Sequence, residues 1–245
     1  MIQINLKKTL LKNATALDKL LVAILTAFSI VSFIYSIRVR NAHYAFSSLI
    51  SLTLVFLPNL MEYLFECRIS SDLKIAYWFL VVGGPVLGNV YRFYHYIRPW
   101  DKLLHMLSGF LAAAVGYALP DFVLKEKPGK MFKCVFAVSF SVAIGGLWEI
   151  YEYLLDVFFQ MDMQNDTVIT GFSSYMLGEI PGTIGAVENI QTVSINGEPF
   201  EKGYIDIGLI DTMRDMIQCL MGSILCVITA VFQKPGSRFS SIQTV

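Results

Sequence analysis

The chain has 245 residues, of which 55% are hydrophobic and only 16% are charged, and its formal net charge is zero. A soluble domain carries nearer a quarter charged residues, so this composition argues against a soluble globular protein. The zero net charge says nothing about a nucleic-acid partner, and none is expected because the sequence contains no long basic stripe. The apolar residues fall into long runs, which predicts an all-α polytopic membrane protein because lipid forces backbone polar groups into internal hydrogen bonds.

Six apolar segments are long enough to cross a bilayer, and they follow a polar, partly amphipathic lead-in at Met1–Leu17. Pro58 is expected to kink the second segment, and Pro120 is expected to end the fourth. The small residues at 83–88 allow either close helix contact or a local break in the third. We treat residues 1–245 as one integral membrane domain, with predicted spans at 19–37, 44–65, 75–91, 101–119, 131–155 and 210–232.

The long connection between the fifth and sixth spans covers residues 156–208. A connection of this length is usually either functional or disordered. The segment VSINGEPF predicts a small hairpin that turns at Asn196–Gly197. Its aromatic and apolar content favours an ordered cap over a mobile loop.

Lysine and arginine residues predict the orientation of the spans, because cytoplasmic loops carry an excess of both. With the N-terminus inside, twelve of these residues fall in inner segments and six in outer segments. We therefore expect a multi-pass membrane protein with both termini in the cytoplasm and the long loop outside. The sequence does not predict an oligomeric state.

Charged residues recur at the predicted outer ends of the last three spans. Each span carries a pair at helical spacing, so each pair lies on one helix face. We predict that the pairs meet in one shared site near the outer membrane face, whose six candidate ligands are Asp101, His105, Glu149, Glu152, Asp211 and Asp215.

The negative charge of such a site must be balanced, because inserting one ionised side chain into the middle of a bilayer costs roughly 2.5–3.5 kcal/mol of free energy. A divalent cation (Zn, Mg, Mn or Ca), protonation, or an ion pair with Arg214 could each supply it. A structural alternative stays open for single residues: Asp101 and Asp211 could be helix N-caps, and Glu149, Glu152 and Asp156 could be a solvated helix end. For Glu62 and Glu66, at the inner end of the second span, a snorkelling helix end is favoured.

The motifs DKLLHMLSGF, WEIYE and DTMRDM resemble those of the YjdF-like bacterial inner-membrane proteins, and more distantly those of VanZ-like proteins. This resemblance covers the fourth to sixth spans. It implies a shared membrane fold and a polar site at the same six residues, together with a bacterial plasma membrane, and it supplies no reaction.

Three functions remain open from the sequence. The first is a metal-dependent hydrolase or transferase acting on a lipid or cell-envelope substrate, with Glu149 or Glu152 as general base and Arg214 contacting a headgroup. The second is a cation or proton transporter that uses the same acids. The third is a non-catalytic envelope-binding protein. In each case membrane lipids are the expected partners.

Overall fold

The structure is a computed structural model that describes residues 14–124, 126–233 and 242–244. Most of the predicted lead-in lies outside the described residues, as does most of the polar tail after the sixth span. Six segments among the described residues are long and apolar enough to cross a membrane. The prediction of an all-α polytopic membrane fold with six spans is therefore confirmed.

The helices are named in chain order. In the first half they are α1 (Ala16–Arg38), α2 (Ala42–Leu54), α3 (Leu57–Leu64), α4 (Ser71–Val82), a π-helical segment (Gly83–Val90) and α5 (Phe93–Tyr96). In the second half they are α6 (Trp100–Val123), α7 (Lys130–Phe159) and α8 (Leu209–Phe232). Helices α2 and α3 together form the second span, and α4 with the π-helical segment forms the third.

The second span is broken before Pro58, as its sequence predicts. Proline has no backbone N–H, so the carbonyl of Leu54 loses its usual helical donor. The Tyr77 hydroxyl donates to that carbonyl at 3.0 Å, and the Trp78 indole N–H donates to the carbonyl of Val55 at 2.9 Å. Two side chains of α4 therefore stabilise the break.

The third span changes from α-helix to π-helix at Gly83. Proline and glycine residues in GGPVLGNV disfavour regular α-helical hydrogen bonding, and the carbonyl of Gly83 accepts a hydrogen bond from the Trp100 indole N–H at 3.1 Å. Both possibilities that the sequence allowed for this stretch are observed, because the helical hydrogen bonding changes at Gly83 and a Cβ atom on Gly88 would overlap the ring of Tyr94.

Three span boundaries differ from those predicted by at least one helical turn, and the first is the start of the third span, which lies at Ser71 instead of at residue 75. The expectation that Pro120 ends the fourth span is wrong, because α6 continues to Val123 with Pro120 in its last turn. The fifth span ends at Phe159, one turn beyond the predicted Leu155. Helix α7 therefore carries Glu152 well inside a helix, two turns before its end.

Within the described residues, the chain divides into two compact units, one in the ranges Met1–Gly145 and Met216–Val245 and the other in Gly146–Asp215. Helices α7 and α8 each run unbroken through a boundary of these ranges. That residues 1–245 behave as one domain stays a prediction.

In the first unit, the helices of the first two spans pack through buried serines. The hydroxyl of Ser29 lies 3.3 Å from that of Ser51, and the hydroxyl of Ser36 lies 3.5 Å from that of Ser48. Small hydroxyl residues allow helices to approach closely and to bond across the contact. The same unit contains β1 (Cys67–Ile69), which pairs antiparallel with β8 (Ile242–Thr244).

In the second unit, the long connection contains short antiparallel strand pairs. Its strands are β2 (Thr167–Ile169), β3 (Phe172–Ser174), β4 (Gly185–Val187), β5 (Val193–Ile195), β6 (Glu198–Phe200) and β7 (Tyr204–Asp206). Strands β5 and β6 form the predicted hairpin, with positive φ at Asn196 (55°) and Gly197 (91°). A two-residue turn with positive φ at both positions matches the twist of the strands it joins.

Candidate metal centre

Helix α6 begins with the first predicted pair, Asp101 and His105. Atom Nε2 of His105 lies 3.6 Å from Oδ1 of Asp101, and the two side chains are 11% and 25% exposed. The residue that precedes the helix is Pro99, so Asp101 is not the N-cap and that structural alternative is wrong. The carboxylate is placed to hold the imidazole ring in a fixed orientation.

Helix α7 contributes Glu149 and Glu152, which are only 6% and 7% exposed. Their spacing of three residues places both on one face of the helix. The Trp148 indole N–H donates to Oε1 of Glu152 at 2.8 Å. Sequence reasoning missed this tryptophan, although its four-residue spacing from Glu152 is a signal that such a contact is possible.

Helix α8 contributes Asp215, whose side chain is 1% exposed, whereas its neighbour Arg214 is exposed. Asp211, one turn earlier, accepts hydrogen bonds from the backbone N–H and the side-chain amide of Asn165, at 2.9 and 3.0 Å. The N-cap alternative for Asp211 is also wrong, because Asp206 accepts the bond from the N–H of Ile210 in the first turn of α8.

The packing of the three helices explains why these residues meet. A Cβ atom on Gly109 of α6 would overlap the backbone carbonyl of Cys219 in α8, and a Cβ atom on Gly145 of α7 would lie 2.8 Å from Sγ of Cys219. The three helices therefore touch at the level of Cys219. The hydroxyl of Ser141 also joins α7 to α6, by a 2.9 Å hydrogen bond to the carbonyl of Gly109.

One helical turn from that level, each helix carries a candidate ligand. His105 comes four residues before Gly109, Asp215 four before Cys219, and Glu149 four after Gly145. Successive spans cross a membrane in opposite directions. Helices α6 and α8, the fourth and sixth spans, therefore run the same way, and α7, the fifth span, runs the opposite way. All three side chains are therefore displaced toward the same end of the helices by one turn.

The resulting cluster contains two overlapping sets of ligand atoms. Asp101, His105 and Asp215 each offer one ligand atom within 4.8 Å of the others, and so do His105, Glu149 and Glu152. We call these five residues the acid–histidine group. Five of the six predicted ligands thus belong to a possible metal-binding group, and among the described residues Asp211 lies outside it.

Like charges at these distances repel each other strongly. For two carboxylate oxygens 4.8 Å apart, the repulsion is roughly 3–4 kcal/mol at an effective dielectric constant of about 20. Bound cations or protons would relieve it. Four carboxylates and one imidazole also supply the oxygen and nitrogen ligands that divalent metals take in proteins.

The acids at the edge of the long connection have a structural role. Asp156 accepts hydrogen bonds from the backbone N–H groups of Met163 and Gln164, at 2.6 and 2.9 Å. The side chain of Gln164 donates to the Thr212 hydroxyl at 2.5 Å. These bonds tie the start of the connection to the end of α7 and the first turn of α8, so the first residues of the connection are ordered within the second unit.

Comparison with known proteins gives one match. The family model described as "Predicted membrane protein (DUF2238)" matches residues 19–235, which include all six spans. Nothing among the curated proteins or the solved structures matches the chain. The match agrees with the resemblance to YjdF-like proteins, whose family this is. Because it covers most of the sequence, the chain belongs to the DUF2238 family of predicted membrane proteins.

Proposed function

We propose that this membrane protein binds a divalent metal ion at the acid–histidine group and uses it on a lipid or cell-envelope substrate. The observation that carries the proposal is the proximity of the ligand atoms, which lie within 4.8 Å of one another in each of the two sets. Both sets include His105, the only residue of the group with a nitrogen ligand.

The ligand set favours one arrangement of roles. Nε2 of His105 faces Asp101, so a carboxylate orients the imidazole while its other nitrogen is directed elsewhere. An imidazole with two carboxylates, such as His105 with Glu149 and Glu152, supplies nitrogen and oxygen ligands of the types that zinc and manganese take in proteins. The single imidazole favours a transition metal over calcium, which prefers oxygen ligands alone.

The chemistry that such an ion supplies is the activation of water or the polarisation of a phosphoryl or carbonyl oxygen. Asp215, whose side chain is almost fully buried beside Asp101 and His105, is a further ligand or a proton acceptor. Exposed Arg214 is suited to contact an anionic headgroup, because its guanidinium can bind phosphate in a bidentate manner. A lipid or a lipid-linked envelope precursor is the substrate class that reaches a site on membrane-spanning helices.

Elemental analysis of the purified full-length protein tests the metal. We expect a stoichiometric transition metal in the wild type and a loss of about tenfold or more in metal affinity for His105→Ala and Glu149→Gln. Glu66→Gln is the matched control, because Glu66 is exposed and its change removes the same charge. Wild-type protein that stays metal-free after incubation with Zn²⁺ or Mn²⁺, while remaining folded, would overturn the proposal.

Vesicle assays test the substrate. Mass spectrometry of envelope lipids incubated with the metal-loaded protein should show a metal-dependent product that Glu152→Gln does not form. A metal-binding protein that leaves every lipid unchanged would instead support the non-catalytic envelope-binding function.

A transporter is the second candidate, and the helix breaks in the second and third spans favour it. Interrupted spans of this kind often line ion sites in transporters. If the protein transports its cation across the membrane, flux into proteoliposomes should fall in Glu62→Gln as well as in Glu149→Gln. Flux that is insensitive to Glu62→Gln would count against this candidate.

A further inference from the structure

A second cluster of buried ionisable side chains lies at one end of the first three spans. The ammonium of Lys74 lies 2.8 Å from Oε1 of Glu62 and 3.4 Å from Oδ2 of Asp18. The three side chains are 5% exposed or less. We call Asp18, Glu62 and Lys74 the lysine-centred cluster.

Local structure fixes each member of this cluster. Asp18 lies in the first turn of α1 and forms a capping box with Thr15. Glu62 lies in α3, after the break in the second span, and its Oε1 also accepts the backbone N–H of Ile69 at 2.8 Å. Lys74 lies in the first turn of α4. The cluster therefore joins one residue from each of the first three spans.

The formal charge of the cluster is minus one, because two carboxylates surround one ammonium. Cys67 also lies near it: burial raises the pKa of its thiol, the charge of Glu62 raises it further, and a backbone hydrogen bond and Lys74 oppose the increase. Cys67 therefore stays neutral near pH 7 and leaves the charge of the cluster unchanged.

Asn59 supplies the second observation. It is 2% exposed, and neither its amide oxygen nor its amide nitrogen makes a hydrogen bond among the described residues. Asn59 comes three residues before Glu62 in the same helix, so the two side chains share a face of α3. Oδ1 of Asp18 is likewise buried without a hydrogen bond among the described residues.

Buried polar atoms are rarely left in this state in native proteins, so a ligand with matching chemistry is expected. From this placement we infer that Asp18 and Asn59, beside the ion pair of Glu62 and Lys74, form a site for one monovalent alkali cation, Na⁺ or K⁺. Carboxylate and amide oxygens are the hard ligands that such ions prefer, and one positive charge neutralises the cluster. A divalent ion would leave the cluster with excess positive charge next to the ammonium of Lys74.

The breaks in the second and third spans agree with this inference. Asn59 is the residue after Pro58, at the point where the second span restarts, and α4 changes to π-helix further along the third span. In several transporters, interrupted membrane helices supply oxygen ligands to a bound cation. The inference is independent of the proposed function, because none of its residues belongs to the acid–histidine group.

Binding of radioactive sodium to the full-length protein in detergent tests the site, with EDTA present to remove divalent ions and choline chloride to hold the ionic strength. We expect saturable binding that competes with unlabelled Na⁺ or K⁺. Asp18→Asn, which removes the excess charge, and Asn59→Leu, which has a similar volume without polar atoms, should each weaken the affinity at least tenfold. Glu66→Gln should bind sodium as the wild type does.

Thermal unfolding gives a second readout of the same variants. Added Na⁺ or K⁺ should raise the melting temperature of the wild type and of Glu66→Gln but not that of Asp18→Asn or Asn59→Leu. The absence of saturable binding, or equal binding in all four proteins, would overturn the inference. Stability that responds to pH but to neither ion would show that a proton supplies the charge, which would also overturn it.

Discussion

The first three spans and the last three spans both bury carboxylates, but the first three spans include interrupted helices and the last three are continuous. In the first three, Lys74 lies within 3.4 Å of two carboxylates, and two of the spans are interrupted by proline and glycine. In the last three, the helices that carry the acid–histidine group are continuous, and glycines let them touch. In the first three spans, the lysine-centred cluster lies on helices of which two are interrupted. In the last three spans, the acid–histidine group lies on continuous helices that glycines allow to pack closely.

The comparison therefore separates two ways of keeping acids inside a membrane protein. A lysine of the chain neutralises one carboxylate within the fold itself. The acid–histidine group instead holds atoms that suit an ion from solution, so its charge balance depends on what binds. Four changes test this difference, and they are given in order of decreasing effect.

Removing the lysine should have the largest effect on stability. Lys74→Met leaves Glu62 and Asp18 buried without their cation, and breaking a buried ion pair in this way costs about 3–5 kcal/mol. Thermal unfolding in detergent should show the loss. Lys133→Met is the control, because its pair with Asp121 is partly exposed and is worth about 1 kcal/mol or less.

A triple variant sharpens that result. Adding Asp18→Asn and Glu62→Gln to Lys74→Met removes the uncompensated charges, so most of the lost stability should return. If Lys74→Met alone is as stable as Lys133→Met, the ion pairs do not stabilise the first three spans.

The contact between Gly109 of α6 and Cys219 of α8 provides the next test. In Gly109→Ala the new Cβ would meet the backbone of Cys219, and such overpacking typically costs about 1–3 kcal/mol. Because the contact sets the spacing of His105 and Asp215, metal content should fall together with the melting temperature. Gly129→Ala is the control, since nothing lies within 4 Å of a Cβ there. Equal behaviour of the two variants would exclude close packing as the cause of the ligand arrangement.

A third change leaves packing nearly intact and alters one hydrogen bond. Trp148→Phe removes the indole N–H that holds Oε1 of Glu152. Loss of a group that orients a metal ligand typically weakens the metal about 10–100-fold, and here we expect the lower end of that range. Competition with a chelator measures the affinity, and Tyr153→Phe on the same helix is the control. An unchanged affinity would mean that the hydrogen bond from Trp148 does not orient a metal ligand.

The smallest expected effect concerns the long connection. Burial raises the pKa of Asp162, and nearby Asp166, Asp156 and Asp211 raise it further. A raised pKa means that ionisation of Asp162 opposes folding, so the stability of the wild type falls as the pH rises through that value. Asp162→Asn should therefore be slightly more stable than the wild type at pH 7 and equal to it in acid, and the difference should be small because the side chain is exposed and solvent screens its charge. Thermal unfolding at several pH values checks the sign.

Much of the second half of the molecule could be predicted because its signals are local. Apolar length indicates the spans, a four-residue interval indicates the shared face of Asp101 and His105, and Asn196–Gly197 indicates a hairpin turn. Counting the spans was enough to predict that the charged pairs of the last three helices lie near the same end of the spans. Asp211 shows the limit of this reasoning, since the partner that occupies its carboxylate, Asn165, comes from a loop whose path no periodicity predicts.

The lysine-centred cluster was missed for a different reason. The sequence interpretation took Glu62 for a snorkelling helix end, which is wrong because Glu62 is buried and paired, while Glu66 is exposed as a helix end should be. Lys74 was counted only as an inner positive charge. Asp18, Glu62 and Lys74 lie at the same end of three consecutive spans. For the last three spans we infer that charged residues at the same end meet, and the same reasoning would have found this cluster.

The pairing of β1 with β8 has a practical consequence for anyone who adds a fluorescent protein or an affinity tag. Residues 242–244 bond to Cys67–Ile69, and the N–H of Ile69 in turn bonds to Glu62. A bulky domain inserted directly after residue 244 would adjoin this strand and could displace the backbone next to a buried carboxylate. A reporter placed behind the strand is therefore best separated from it by a long flexible spacer.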